Sequence, residues 1–426
     1  MQRLLAALAV LSLTSAASMA AQQPTPAAPA STTLAVFLDC QNVGCDFAYV
    51  QTEITAVVWV RDRSASDVHV LVTGQDTGAG GREFTLTFIG LRGYNGLTDT
   101  LKFTLPPSFT DEERRQNLVR YLRLGLVRYA ARTPLGSRMT VSFGAVTAAS
   151  QAKEQPKKDP WHTWVFSLDL GSYMQGEKTY RSRDVYSGVE ANRVTKLWKT
   201  QLSANRGDSR SEFDLDDTTT FVNTQRNFNA SALHAKSLGE HWSVGARGGV
   251  SASTYDNFRQ AVRLTPAIEF DVFPYSASTR RQLRVEYNAG LAAFAYHDTT
   301  INDKTDEQMP IHRLSVSVTA RQPWGTVDVG LNGTQYLNNT SLYRAGAFGS
   351  VNLKLAKGLS LRAFGNYQSI HDQFFLAKKT FTQQQILTRQ FQRGTTFRYF
   401  GNVNLSYTFG SIFSTVVNPR FGGNND

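Results

Sequence analysis

The chain has 426 residues, enough for two domains, and a formal net charge of +11. Hydrophobic residues make up 41% and charged residues 19%, which excludes a disordered chain; no internal run approaches the roughly 18 apolar residues of a membrane helix. The basic excess raises nucleic acid as a partner, but the arginines and lysines are scattered with no dense block, so nucleic-acid binding is not expected.

Residues 1–20 carry a basic start with Arg3, an apolar core from Leu4 to Leu13 and a small-x-small site at Ser18-Met19-Ala20. This is the pattern of a secretory signal peptide. Residues 21–33, rich in Pro, Ala and Thr, read as a flexible tether. Cys40 and Cys45 then fall in an exported segment, where an even count favours one disulfide over two free buried thiols. Their spacing and the lack of a nearby histidine cluster argue against zinc. No cofactor or metal is expected.

Residues 34–146 read as a small periplasmic α/β domain. Residues 34–38, 68–72, 84–88 and 100–105 alternate or run apolar as strands do, and 139–143 could add a last one. Asp46 can cap a helix reaching about Val60. The glycine-rich stretch from Gly74 to Gly81 tempts a phosphate-cradle reading. It lacks the Lys-Ser/Thr ending, and a strand follows it, so a hairpin tip is favoured. Thr110-Asp111-Glu112-Glu113 forms a capping box opening a helix to about Ala131. Its Arg114, Arg115, Arg120, Arg123 and Arg128 form either a solvated basic face or a docking surface for lipid headgroups or a periplasmic protein partner. Residues 147–160 read as a polar linker.

From 161 to 410 the pattern changes to twelve alternating segments, near 161–175, 181–191, 194–213, 218–237, 241–255, 259–273, 280–298, 309–322, 326–337, 342–356, 359–372 and 396–409. In the cleanest of them, Val262, Leu264, Ile268, Phe270 and Val272 share one strand face, while Arg263, Thr265, Glu269 and Asp271 share the other. Short turns at 191–193, 238–240, 274–276, 323–325 and 356–358 alternate with mostly longer loops, notably 298–309 and 375–395. These features predict an antiparallel transmembrane β-barrel of about twelve strands with both ends on the periplasmic side. Residues 411–426 form a tail. Trp161, Trp164, Trp198, Trp242, Trp324, Tyr407 and Phe409 stand near strand ends or turns, as an aromatic girdle requires.

The inward face carries Lys199, Arg247, Arg263, Arg284, Arg313, Arg321, Lys354, Arg362 and Arg398, with Asp169, Glu269, Asp271, Glu286 and Asp328. Barrels of about eight strands are filled by side chains and those of about sixteen leave a channel, so twelve lies between. Either these charges pair into a network that fills the lumen, or an arginine excess lines a narrow pore that favours anions. Catalysis is not expected. The histidines are His69, His162, His234, His241, His297, His312 and His371, with no Gly-x-Ser-x-Gly or His-Glu-x-x-His. Ser231 and His234 fall on opposite faces of one segment.

Four stretches carry a family resemblance. They are Phe273-Pro274-Tyr275-Ser276-Ala277-Ser278-Thr279-Arg280, Gln322-Pro323-Trp324-Gly325, Lys357-Gly358-Leu359-Ser360-Leu361 and Tyr407-Thr408-Phe409-Gly410-Ser411-Ile412-Phe413. Residues 161–421 resemble bacterial outer-membrane β-barrel proteins of the salt-induced outer-membrane protein type. The resemblance implies outer-membrane location and assigns neither substrate nor catalytic residue. Members commonly end at a terminal aromatic, whereas Phe409 here is followed by the tail. The expected role is a narrow channel or an envelope anchor, with an outer-membrane enzyme acting on lipid or a small ligand as the alternative.

Overall fold

The computed structural model describes residues 33–78, 80–140, 159–215, 218–411 and 413. The expected signal peptide, nearly all of the tether, most of the linker and most of the tail lie outside these residues, as do 141–143 of the strand expected at 139–143. Met139 and Thr140 carry no strand.

The first unit is an α/β sandwich of two layers. Its elements are β1 (Ala35–Gln41), α1 (Phe47–Glu53), β2 (Val58–Trp59), β3 (Val68–Asp76), β4 (Arg82–Gly90), β5 (Thr98–Leu105) and α2 (Asp111–Ala130). The sheet order is β2-β1-β3-β4-β5, with β1 parallel to β2 and β3 and the remaining pairs antiparallel. Asp46 caps α1 by accepting from the Tyr49 backbone N at 2.9 Å. That helix stops at Glu53, well short of the expected Val60. The β-branched run that follows is taken by pairing, Val58 standing opposite Ala35 of β1, and sheet contacts there outweigh helical periodicity. The capping box at Thr110 and Glu113 is formed in full. The stretch from Gly74 to Gly81 joins β3 to β4 as a hairpin, Thr77 N donating to Gly81 O at 2.8 Å.

One face of this sheet packs on α2. Leu118, Leu122, Leu126 and Tyr129 meet Val70, Leu86 and Phe88 in a single buried core. Gly125 lets the helix approach, because a Cβ there would stand 2.0 Å from the Phe88 ring. The arginines of α2 are mostly paired. Arg114 meets Asp111, Arg115 meets Glu112 and Asp46, Arg123 meets Glu53, and Arg128 lies 3.8 Å from Asp99. Cys40 and Cys45 form a disulfide.

The second unit is one antiparallel sheet of twelve strands in sequence order. It contains β6 (Trp164–Gly176), β7 (Tyr180–Val194), β8 (Trp198–Asp214), β9 (Thr220–Ser237), β10 (Trp242–Ser253) and β11 (Phe258–Asp271). It continues through β12 (Arg281–Tyr296), β13 (Asp306–Gln322), β14 (Gly325–Tyr336), β15 (Asn339–Ala356), β16 (Leu359–Ile370) and β17 (Phe397–Tyr407). The count agrees with the expectation; the turn expected at 191–193 does not. Those residues extend β7, and the chain reverses at 195–197, where Thr195 N donates to Trp198 O at 2.8 Å. The two edges, β6 and β17, share no backbone pairing among the described residues. No helix among the described residues is long and apolar enough to cross a membrane.

Register places the side chains. Direct partners share a face, so Arg247, Thr265, Glu269, Glu286 and Ser315 fall on one side of the sheet, while Ile268, Tyr287, Leu314 and Leu331 fall on the other. Replacing Gly125 with Ala is expected to push α2 off Phe88 and destabilise the first unit by about 1–3 kcal/mol. The check is amide exchange in β4 and α2, which should quicken while exchange in β6 to β17 stays unchanged.

Candidate functional site: an interior closed at both ends

The charged face of the large sheet lines three cavities of about 490, 690 and 680 Å³. The central one shares Arg263, Thr334 and Tyr336 with the cavity toward the long loops, and Arg247, Leu233 and Glu286 with the cavity toward the short turns. They therefore form a series along one axis. Around the middle cavity stand hydroxyls and amides such as Ser203, Ser231, Asn229 and Asn288, interleaved with Arg247, Arg263 and Arg313.

Some of the charges on this face pair with one another and others do not. Arg247 holds Glu286 in a fork at 2.7 and 2.9 Å; Arg284 lies 3.7 Å from Glu269, and Arg321 lies 3.6 Å from Asp328. Lys199, Arg263, Arg313, Arg362 and Arg398 have no carboxylate within ion-pair distance among the described residues. Arg263 stacks on Phe294 at 5.2 Å, and Arg313 donates to Ser315 Oγ at 3.2 Å. Asp271 is fully buried on the same face. Asp169 lies on the same face near the β6 edge, opposite Gly188. Ser231 Oγ pairs with Ser203 Oγ at 2.7 Å, while His234 lies on the other face against Thr200 and Trp198. No cluster of three or more metal-ligating side chains occurs among the described residues.

At the long-loop end, the segment between β16 and β17 folds into the interior. Phe374 and Phe375 are 3% and 5% exposed and pack against Phe258, Phe294, Met309, Ile311 and Tyr336. Arg344 grips Asp372 at 2.9 Å. Asn257 Nδ2 donates to Phe375 O and Asp298 O, both at 2.9 Å, and Ile301 N donates to Leu376 O at 2.8 Å. A short helix α3 (Gln383–Leu387) follows, and Asn223 Nδ2 donates to Thr388 O at 3.1 Å. The sequence marks this loop as long, but its inward fold depends on matching aromatics from β11, β12 and β14 and was not legible.

At the short-turn end, the first unit sits across the opening. The sheet face away from α2 carries Asp39, Gln41, His69, Thr73, Thr85 and Thr87, all buried. Lys354 Nζ of β15 lies 2.6 Å from Asp39 Oδ2 and over the Phe37 ring. Gln41 donates to Gln322 O at 2.8 Å and accepts from Thr326 at 3.2 Å. Arg61 donates to Ser411 O, and Val60 bridges Phe413. Gln75, Asp76 and Arg82, beside the glycine hairpin, share the wall of the inner cavity with Lys199, Glu269 and Arg284. Lys354 is thus a docking residue as well as a member of the interior face.

The seven expected girdle aromatics fall at one end. Trp164, Trp198, Trp242 and Trp324 begin strands or precede them, Trp161 lies just before β6, and Tyr407 and Phe409 close β17, all beside the short turns. Tyr367, Phe397 and Tyr399 are exposed at the opposite end, where the sequence reading placed no girdle.

No family model matches this chain, and no curated protein matches it. A solved structure of NanC porin aligns with 57% of this chain and 100% of its own, at 11% identity and a TM-score of 0.28.

Behind the docking contact, His69 Nε2 lies 3.1 Å from Asp39 Oδ2. Burial pushes the imidazole below its ordinary value, against the pull of the Asp39 carboxylate. Burial alone would raise Asp39, but the His69 hydrogen bond and the Lys354 charge outweigh it and hold the carboxyl below its ordinary range. In both cases the unfolded chain binds more protons than the folded one, so stability rises with pH. The first unit is expected to be most stable above about pH 6.5, to weaken as His69 protonates below it, and to weaken further when Asp39 protonates. Thermal melts between pH 8 and 4 check this, and His69→Gln should remove the first, near-neutral step.

Proposed function

We propose that this is an outer-membrane β-barrel protein with a periplasmic domain, acting as a narrow channel with a preference for anions. The observation that carries the reading is the outward face of the large sheet. Leu168, Leu170, Leu264, Leu291, Leu314, Leu331, Val403 and Leu405 are all exposed on it, opposite the charged interior. Soluble proteins rarely leave contiguous apolar patches beyond a few hundred Å² open to water, whereas lipid accepts such a face. In a bilayer, unpaired strand edges would cost several kcal/mol for each unsatisfied group, so the reading includes pairing of β6 with β17 to close the barrel.

The preference for anions follows from Lys199, Arg263, Arg313, Arg362 and Arg398, which have no carboxylate partner among the described residues on a face where the other cations do. A guanidinium held in a narrow, partly dehydrated passage favours a passing anion and repels a cation. An envelope anchor is the second reading, supported by the extensive seating of the first unit on the short turns. The enzyme alternative has less to draw on, because Ser231 and His234 are separated by the sheet itself.

Refolded into detergent, the full chain is expected to show a heat-modifiable band shift on a gel with and without boiling. An unshifted band, with solubility in the absence of detergent, would make this a secreted sheet protein. In planar bilayers, the reversal potential under a salt gradient should indicate anion preference and move toward neutrality in Arg263→Gln/Arg313→Gln. An unchanged potential would sink the selectivity assignment.

A further inference from the structure

The channel reading leaves open how a passage closed at both ends conducts. Resting on that reading, we propose that the amino-terminal unit is the gate, a removable stopper latched by Asp39 and Lys354, while the loop at the far end stays in place.

The two closures are built from different contacts. The far one is apolar, with Phe374 and Phe375 buried among Phe258, Phe294, Met309, Ile311 and Tyr336. Withdrawing that loop would expose this cluster to water, and it would also break backbone bonds to two other loops. The near closure is mostly polar. Its crossing contacts include the Asp39–Lys354 and Asp62–Lys357 pairs, the Gln41 bonds to Gln322 and Thr326, the Gln75 bond to Ser278, the Arg61 bond to Ser411 and one bridge at Val60, with Phe37 under Lys354 and Gly78 against Val194 as the less polar ones. Water can replace each polar partner when the surfaces part, so the net loss per contact is small.

The stopper also has the means to leave intact. Its core is its own, closed by α2 and drawing no side chain from the large sheet. The face it would uncover carries Asp39, Gln41, His69, Thr73, Thr85 and Thr87, groups that water solvates, around one apolar side chain, Leu71. Seated, it walls the inner cavity with Gln75, Asp76 and Arg82, so it stands across the path. Two ion pairs cross, Lys357 to Asp62 at 3.9 Å and Lys354 to Asp39 at 2.6 Å; the second is the closer, and its loss leaves the more deeply desolvated carboxylate behind.

The test uses the full chain in planar bilayers, and in vesicles with thiol labelling at Lys199→Cys, a position on the inner cavity. Lys354→Ala is expected to raise both open probability and labelling rate by about tenfold or more. The exchange Asp39→Lys/Lys354→Asp should return both toward wild type. An oxidised Gln75→Cys/Ser278→Cys pair, whose parent side chains lie 3.5 Å apart, should suppress both relative to either single variant. Equal current and equal labelling in wild type, Lys354→Ala and the oxidised pair would overturn the gate and leave the channel standing. Labelling that rises while no current appears would instead overturn the channel on which the gate rests.

Discussion

A strand turns successive side chains to opposite faces, and twelve strands of this chain use that alternation in the same sense. Everything else in the large sheet depends on it. A slip of one residue in any strand would carry its arginine or glutamate to the leucine side and its leucine inward, so the register is fixed at every pair by two opposing preferences. Arg247 reaches Glu286 across an intervening strand because β10, β11 and β12 all keep this phase. Cross-strand ion pairs of that kind contribute little individually where water reaches them. Their value here is positional, since a fork such as Arg247 to Glu286 fixes the guanidinium plane against a neighbouring strand.

The same phase explains the two closures. Near the long loops the inward positions become Ala261, Ala292, Phe294, Met309, Ile311 and Tyr336, so the wall turns apolar and can accept Phe374 and Phe375. Near the short turns the inward positions stay charged and polar, with Lys354, Thr326 and Arg321, and what docks there is correspondingly polar. The character of each seal follows from the inward residues at its own level.

Strand number, alternation and the hairpin at Gly74–Gly81 were legible because each depends on neighbours in sequence. The end of α1 was not, since a partner for Val58 had to be found in β1 before the helical pattern lost. The extension of β7 through Asn192 and Arg193 was missed for a similar reason. Polar residues there look like a turn until Gln201 and Thr200 stand opposite them. Nothing in the strands around His69 and Asp39 marks their shared face as one that a second unit covers. Only contacts between residues 281 to 350 positions apart bury it, and no local pattern encodes such a meeting.

The unpaired edges sharpen the remaining constraint. β6 enters the sheet at the short-turn end and β17 leaves it there, so the two run antiparallel, as an even strand count requires. On β6 the apolar positions are Phe166, Leu168 and Leu170; on β17 they are Val403, Leu405 and Tyr407, and both sets continue the outward face of their neighbours. Antiparallel pairing between these edges would therefore keep apolar residues on one side and Asp169, Asn402 and Asn404 on the other, with no strand inverted. A thirteenth strand, or a slip of phase anywhere between, would have spoiled this match. The agreement of direction and face at both edges is what a sheet selected to close would show, and an open sandwich has no need of it.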